Sequence, residues 1–307
     1  MKILVVASSK DNTQIEFCNI AKEVIKNIKN CELDFLPLSN CGKGTIECFS
    51  YAKDCQIMKC FVQNAIYEEE VCSVAFLENG KTAIIEACQS NHFIKGVDNE
   101  ITSTYGVGQL IGFACDMGAK NIVLALGDCV SKDLGLGILA ALGGCFYNKD
   151  GVSFVPTEKT LKDVQEIDLS MMYPRLQGAR FEAFCDEQDI LFDKENKGIV
   201  HIASLFNKMR TTDFSLEKGS GCFGGLGFCV LAALNGSLKK TNEKVLSLLN
   251  FSKKVLNYDL IITNDKKLFE CEKDILEIDF GNDMKEANDM KECFEKEFIS
   301  YYNKKYV

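Results

Sequence analysis

The sequence predicts an α/β protein built of two α/β domains, one inserted into the other, with an interdomain cleft. Three observations carry that prediction. Short segments at 2–7, 122–126 and 259–263, the second an unbroken apolar run and the others built round one, have the length and composition of strands buried on both faces. Stretches with apolar residues three and four apart lie between them, the pattern of helices laid on a sheet. Between 56 and 88 the pattern changes to strands joined by a tight turn, which takes the chain out of its first sheet. Residues 1–55 and 240–307 are accordingly expected to form a discontinuous parallel α/β domain, and residues 56–239 the inserted α/β domain. The cleft between them is the expected site.

Taken in order, the 2–7 strand opens the chain. Asp11, Asn12 and Thr13 offer caps for a helix whose stripe is Ile15, Cys18, Ala21, Ile25 and Ile28. Residues 32–38 form a second strand, with Pro37 at its end. The loop of Ser39, Asn40, Cys41, Gly42, Lys43, Gly44 and Thr45 leads into a helix to about residue 53. Residues 56–65 and 71–77 read as strands, Asn79-Gly80 as a hairpin turn and 81–88 as the return strand. Residues 102–118 read as a capped helix burying Leu110, Ile111, Ala114 and Cys115. After the 122–126 strand and a polar loop at 127–137, a short buried helix at 138–142 is closed by Gly143 and Gly144.

Asn148-Lys149-Asp150-Gly151 is a turn, 161–169 a short helix, 179–185 a strand ending at Asp186, and 199–209 a helical segment. Leu226, Cys229, Val230, Ala233 and Leu234 trace a helix stripe. Residues 242–256 form a further helix, and 282–305 a charged surface helix. In the latter, Asn282-Asp283-Met284-Lys285-Glu286-Ala287 is echoed by Asn288-Asp289-Met290-Lys291-Glu292-Cys293. Repeat architectures have longer periods, so the echo is not one.

At 307 residues, 47% hydrophobic and 26% charged, the chain has enough apolar mass for real cores. A net charge of −9 with no basic run argues against a nucleic-acid partner. No apolar run reaches membrane-span length, and the N-terminal one is too short for a signal peptide, so a cytoplasmic protein with no membrane partner is expected. The 16 cysteines occur singly, with no C-x-x-C and only two histidines, His92 and His201, which is not a zinc pattern. Most should be reduced core residues. Cys41, Cys48 and Cys55, seven apart, are expected on one helix face. His92 and His201 read as hydrogen-bonded structural residues, Lys43 and Lys81 as surface lysines.

The 121–144 stretch is strand, loop and helix, and open parallel sheets bind ligands at the carboxyl ends of their strands. Its loop carries Asp128, Ser131, Lys132 and Asp133. Aspartate can hold a metal or take a proton, and serine and backbone N–H can hold phosphate. An ordinary connection with a solvated face fits the same residues. Asp186, at a strand end, can bind Mg²⁺ or orient a hydroxyl nucleophile, or simply cap the next element. Gly219-x-Gly221-x-x-Gly224 has the spacing of a dinucleotide fingerprint, but residues 213–218 do not read as the strand it requires, which removes NAD. A glycine-rich loop opening a helix can still offer N–H groups to an anion, and a hinge between domains is equally compatible. The chain has no P-loop and no G-x-S-x-G elbow, and two histidines leave little room for a hydrolase triad.

The order of segments resembles the bacterial type I glycerate kinases. The resemblance rests on Ala7-Ser-Ser-Lys-Asp, Leu38-Ser-Asn-Cys-Gly-Lys-Gly-Thr45, Thr102-Ser-Thr-Tyr-Gly-Val-Gly-Gln-Leu-Ile111 and Gly127-Asp-Cys-Val-Ser-Lys-Asp-Leu-Gly-Leu-Gly137. It continues through Cys185-Asp-Glu-Gln-Asp-Ile-Leu191, Gly219-Ser-Gly-Cys-Phe-Gly-Gly-Leu-Gly227 and Asp259-Leu-Ile-Ile-Thr-Asn-Asp-Lys-Lys267, and so covers residues 1 to about 268. Collinear order makes it more specific than any single motif. Asp133 and Asp186 match family positions. Charged family positions are replaced elsewhere: Asp and Lys of the first motif by Ser9 and Asn12, Asp and Glu of the second by Asn40 and Lys43, Gly-Glu and Arg of the last by Asn264, Asp265 and Lys267. The family's F-G-P-Q-K-G segment is missing, and the chain ends soon after Lys267, where the family continues.

The resemblance implies ATP-dependent phosphoryl transfer to a hydroxyl of glycerate or a similar small hydroxy acid, with ATP and Mg²⁺ as cofactors. It makes Asp133 and Asp186 the acidic groups for metal or hydroxyl, Asp186 being the metal ligand. Thr104 and Ser131 would supply hydroxyl contacts, and Gly219, Gly221 and Gly224 would cradle anions. Phosphoryl transfer relies on charges that act as a unit. The replaced positions therefore open a second expectation: weakened activity, or a catalytically silent homologue that binds a small anion or a protein partner. A third, a redox-responsive protein, needs two cysteines close together at the surface.

Overall fold

Among the described residues, the two larger of three sheets organise the chain, and each is explained by where its apolar residues fall. The computed structural model describes residues 1–8, 14–26, 28, 30–38, 41–51, 54–191, 197–210, 212–280 and 287–306. The expected caps Asp11, Asn12 and Thr13, together with Ser9, Ser39, Asn40 and positions 282–286 of the echo, lie outside the described residues.

In order, the strands are β1 (Lys2–Ala7), β2 (Glu32–Pro37), β3 (Gln56–Gln63), β4 (Glu69–Leu77), β5 (Thr82–Glu86), β6 (Asn121–Ala125), β7 (Cys145–Tyr147), β8 (Glu166–Asp168), β9 (Arg180–Phe184), β10 (Ser237–Lys239), β11 (Leu260–Thr263) and β12 (Asp274–Glu277). The helices are α1 (Gln14–Ile25), α2 (Thr45–Ser50), α3 (Tyr105–Asp116), α4 (Leu136–Ala141), α5 (Lys197–Met209), α6 (Cys222–Phe228), α7 (Thr241–Leu248), α8 (Phe251–Lys254) and α9 (Ala287–Tyr306). The fold is α/β, as the sequence predicts. Among the described residues no helix is long and apolar enough to cross a membrane.

The chain divides into two compact units. Unit 1 comprises Met1–Asn40, Glu47–Ala52 and Asn242–Val307. Its four-stranded sheet, ordered β12-β11-β1-β2, is parallel throughout. Helix α1 packs Phe17, Ala21 and Val24 on the face of β1 that carries Ile3, Val5 and Ala7. Helix α9 adds Met290, Phe294 and Phe298, spaced four apart on one stripe, with Phe294 edge-on to Phe17 at 5.5 Å.

Unit 2 comprises Cys41–Ile46 and Lys53–Thr241. Its six-stranded sheet is ordered β10-β9-β6-β5-β4-β3. β10, β9, β6 and β5 run parallel, and β4 and β3 extend the sheet antiparallel. Alternate residues of the central strands (Ala83, Ile85, Ile122, Leu124, Phe181 and Ala183) enter a core with Val107, Leu110, Ile111 and Ala114 of α3. The Asn79-Gly80 turn joins β4 to β5, with Glu78, Asn79 and Gly80 all at positive φ.

Four local expectations are corrected. The predicted helix at 161–169 is a 3₁₀ turn, Glu158–Asp163, followed by β8, because Val164 is extended and Ile167 pairs with Phe146 of β7. The predicted 242–256 helix is broken at Asn250, which takes the left-handed conformation that asparagine tolerates. The stripe from Leu226 to Leu234 is not one regular helix: α6 holds three left-handed residues and Cys229–Ala233 is a π turn, leaving Val230, Ala232 and Leu234 buried. Cys41, Cys48 and Cys55 do not share a helix face, since α2 contains only Cys48.

Candidate active site

The carboxyl ends of β5, β6 and β9 lie side by side in unit 2, and four loops collect there. The first is the 127–137 loop. Asp133, fully buried at its centre, accepts hydrogen bonds from the N–H of Thr104 (2.8 Å), Gly135 (3.0 Å) and Gly137 (3.2 Å) and from the hydroxyls of Thr104 and Ser103. Two of these N–H groups open α4, and the Thr104 hydroxyl takes a third, from Ile138 at 3.1 Å. Asp133 and Thr104 thereby satisfy donors that a helix leaves unpaired at its start. Burial pushes the Asp133 carboxyl above its usual range, and the hydrogen bonds pull it back.

Ser131 is equally committed. Its hydroxyl accepts from Asn91 Nδ2 (2.7 Å) and donates to Thr102 Oγ1 (2.8 Å), while its N–H and that of Val130 donate to Asn91 Oδ1. The sequence placed Asp133, Thr104 and Ser131 against substrate or metal. In the structure their polar atoms are hydrogen-bonded to the chain's own groups, and these bonds fix the shape of the loop. Asp186 is different. It is exposed at the end of β9, and only its Oδ1 is engaged among the described residues, by the Thr241 N–H at 2.9 Å.

The glycine-rich loop meets both segments. Phe223, Gly224 and Gly225 are consecutively left-handed. A Cβ on Gly224 would lie 2.5 Å from the Ser131 carbonyl, and one on Gly221 2.4 Å from the Ile190 carbonyl. One on Gly219 would lie 3.0 Å from Cys185 Sγ. Those spaces are filled by this chain, so the glycines let three loops close on one another. The residues before the loop form a 3₁₀ turn, Phe214–Leu216, and not a strand. The neighbouring Cys222 thiol draws the Cys185 thiol down against the effect of burial. Both cysteines are buried rather than at the surface.

The last loop, Cys41–Ile46, was not anticipated as part of this assembly. The Gly127 N–H donates to the Cys41 carbonyl (2.7 Å), and the Lys43 N–H donates to Asp128 Oδ2 (2.9 Å). The N–H groups of Gly44 and Ile46 donate to the two oxygens of Glu86, each at 3.1 Å. Burial pushes the Cys41 thiol up to about 12, helped by the charge of Asp186. Glu86 and Asn91 escaped the sequence reading. The available signal is Glu86 itself, a carboxylate directly after the apolar Ala83-Ile84-Ile85, inside the 81–88 segment that the sequence predicts as strand and that ends as β5 at Glu86. His92 and His201 hydrogen-bond to the carbonyls of Gln89 and Val164. Lys43 and Lys81 are exposed.

Residues 7–268 match the model of the glycerate kinase family. The chain belongs to the glycerate kinase family. A glycerate kinase from Bacillus cereus is 31% identical over 297 residues, covering 88% of this chain and 78% of that one. A glycerate 2-kinase from Escherichia coli is 24% identical over 296 residues, covering 87% and 77%. A solved chain described as glycerate kinase 2 from Salmonella typhimurium LT2 has the same fold, with a TM-score of 0.84 over 100% of both chains at 19% identity. At the family positions in unit 1, Asn264 ties the ends of β1 and β11 by accepting from the Ser8 N–H (3.0 Å) and donating to the Ser8 carbonyl (2.5 Å). Asp265 accepts from the Lys267 N–H at 2.9 Å, and Lys267 is exposed.

Proposed function

We propose that this member of the glycerate kinase family is an ATP-dependent kinase that phosphorylates a hydroxyl of glycerate or a similar small hydroxy acid. The observation that supports this reading is the meeting of the 127–137 loop, the Asp186 segment and the glycine-rich loop at the ends of parallel strands. Mg²⁺–ATP suits the donors present. Magnesium keeps water and phosphate oxygens as ligands and takes one or two carboxylates from protein. No group of three or more His, Cys, Asp or Glu that could hold a bare ion occurs among the described residues. Asp186, anchored through Oδ1 and open at Oδ2, is the group we assign to the metal or to the substrate hydroxyl. When bound, ATP supplies the phosphoryl group and its metal neutralises charge in the transition state. Asp133, Thr104 and Ser131 act as positioning residues that hold the loop and α4 still. The backbone of the 219–225 loop is the candidate contact for an anionic group.

A coupled ADP-release assay with D-glycerate, ATP and Mg²⁺ tests the reading. Turnover is expected, and Asp186→Ala should lower kcat at least about a hundredfold. Turnover that Asp186→Ala leaves untouched would remove that residue's role. No turnover and no thermal shift with ATP would instead favour the silent homologue, to which the replaced positions Asn40, Lys43 and Asn264 point.

A further inference from the structure

We propose that Glu86 is a positioning residue that holds the Cys41–Ile46 loop so that Lys43 meets an oxyanion of the substrates. The inference rests on the kinase reading for its activity arm only.

Glu86 is buried, yet no cation pairs with it among the described residues. Burying a carboxylate in that way is unfavourable unless hydrogen bonds replace its water. Here they come from the N–H groups of Gly44 and Ile46, one on each oxygen, and from the Cys88 thiol. A glutamine could accept from one N–H only, because its other terminal atom is a donor. The pairing therefore requires a carboxylate, and what it fixes is the backbone of a loop that arrives from the other side of β3 in sequence.

The neighbouring bonds fix the same loop: Gly127 N–H to the Cys41 carbonyl and Lys43 N–H to Asp128 Oδ2. A Cβ at Gly42 would lie 2.2 Å from Asp128 Oδ2, so the loop sits as close as its backbone allows. Its one ionised side chain is Lys43, exposed and without an ion-pair partner among the described residues. A cation on a fixed backbone beside the ends of β5 and β6 suits an oxyanion, either the carboxylate of the hydroxy acid or a phosphate of the nucleotide.

The test uses the full chain and the variants Glu86→Gln, Lys43→Met and the double variant. Hydrogen exchange at the amides of Gly44 and Ile46 should quicken by about tenfold in Glu86→Gln, while amides of β5 and β6 stay protected and report an intact fold. In the ADP-release assay each single variant should raise one KM by about fivefold with kcat nearly unchanged. A rise for the acid marks its carboxylate as the partner, and a rise for ATP marks a phosphate. The double variant should be no worse than Lys43→Met, because the two residues act through one contact. Unchanged exchange at Gly44 and Ile46, or additive losses in the double variant, would overturn the proposal. If the wild type releases no ADP, the kinase reading is what fails. The thermal shifts given by D-glycerate alone and by ATP alone then decide, and the absence of any shift that depends on Lys43 overturns the inference.

Discussion

Asp133 turns both carboxylate oxygens toward its own chain. Removing it in Asp133→Ala would leave three buried N–H groups and two hydroxyls without their acceptor, and should cost about 3 kcal/mol or more in urea unfolding. The pH dependence follows from burial. A carboxyl whose folded value lies above its unfolded one binds its proton more tightly in the native state. Its contribution is full below the unfolded value of about 3.9 and is lost as pH rises through the raised one. The difference in unfolding free energy between wild type and Asp133→Asn should therefore shrink as pH is taken upward from about 4. A difference that grows with pH would mean that the hydrogen bonds outweigh burial. The same residue shows why roles are harder to read than positions. The sequence picks out Asp133, Ser131 and Thr104 as polar groups near a strand end, but lone pairs are committed only once Asn91, Ser103 and the start of α4 have folded around them.

Regular elements follow their local patterns wherever apolar periodicity is long or bounded by glycine. β1, β6, β11 and α3 emerge at the expected places because each carries its own buried pattern. The departures are short segments whose state is set by neighbours. β8 exists because β7 offers it a partner, and the kink in α6 exists because two loops press against it. That kink gives a paired prediction. Gly224 has φ +68 and faces the Ser131 carbonyl, so Gly224→Ala combines left-handed strain with a backbone collision. A loss of at least about 2 kcal/mol is expected from denaturant unfolding, with a matching fall in ADP release. Gly112, inside α3, has nothing nearer to a new Cβ than Leu142 Cδ2 at 3.9 Å. Gly112→Ala should stabilise by about 0.5–1 kcal/mol, through helix propensity and a less mobile unfolded chain. If both substitutions destabilise equally, backbone conformation at position 224 is not what matters.

At the scale of the molecule, unit 1 carries the β12-β11-β1-β2 sheet and the core around Phe17, Phe294 and Phe298, and unit 2 carries the β10-β9-β6-β5-β4-β3 sheet and the core around Ile85, Ile111 and Leu124. Each unit thus owns the interactions that make its unfolding cooperative, and a single two-state transition is not the expectation for such a chain. Calorimetry should resolve two transitions. Phe294 is fully buried against α1 in unit 1, and truncating it to alanine removes about 3–5 kcal/mol of packing. Asp133→Ala acts on unit 2 alone. Phe294→Ala should therefore lower one transition by about 10 °C and leave the other in place, while Asp133→Ala does the reverse. ATP or D-glycerate should then raise the transition that Asp133→Ala lowers, because the loops proposed to bind them all belong to that unit. One transition that both variants move together would show that the separate cores are coupled into a single folding block, and the ligand shift would then report on the whole chain.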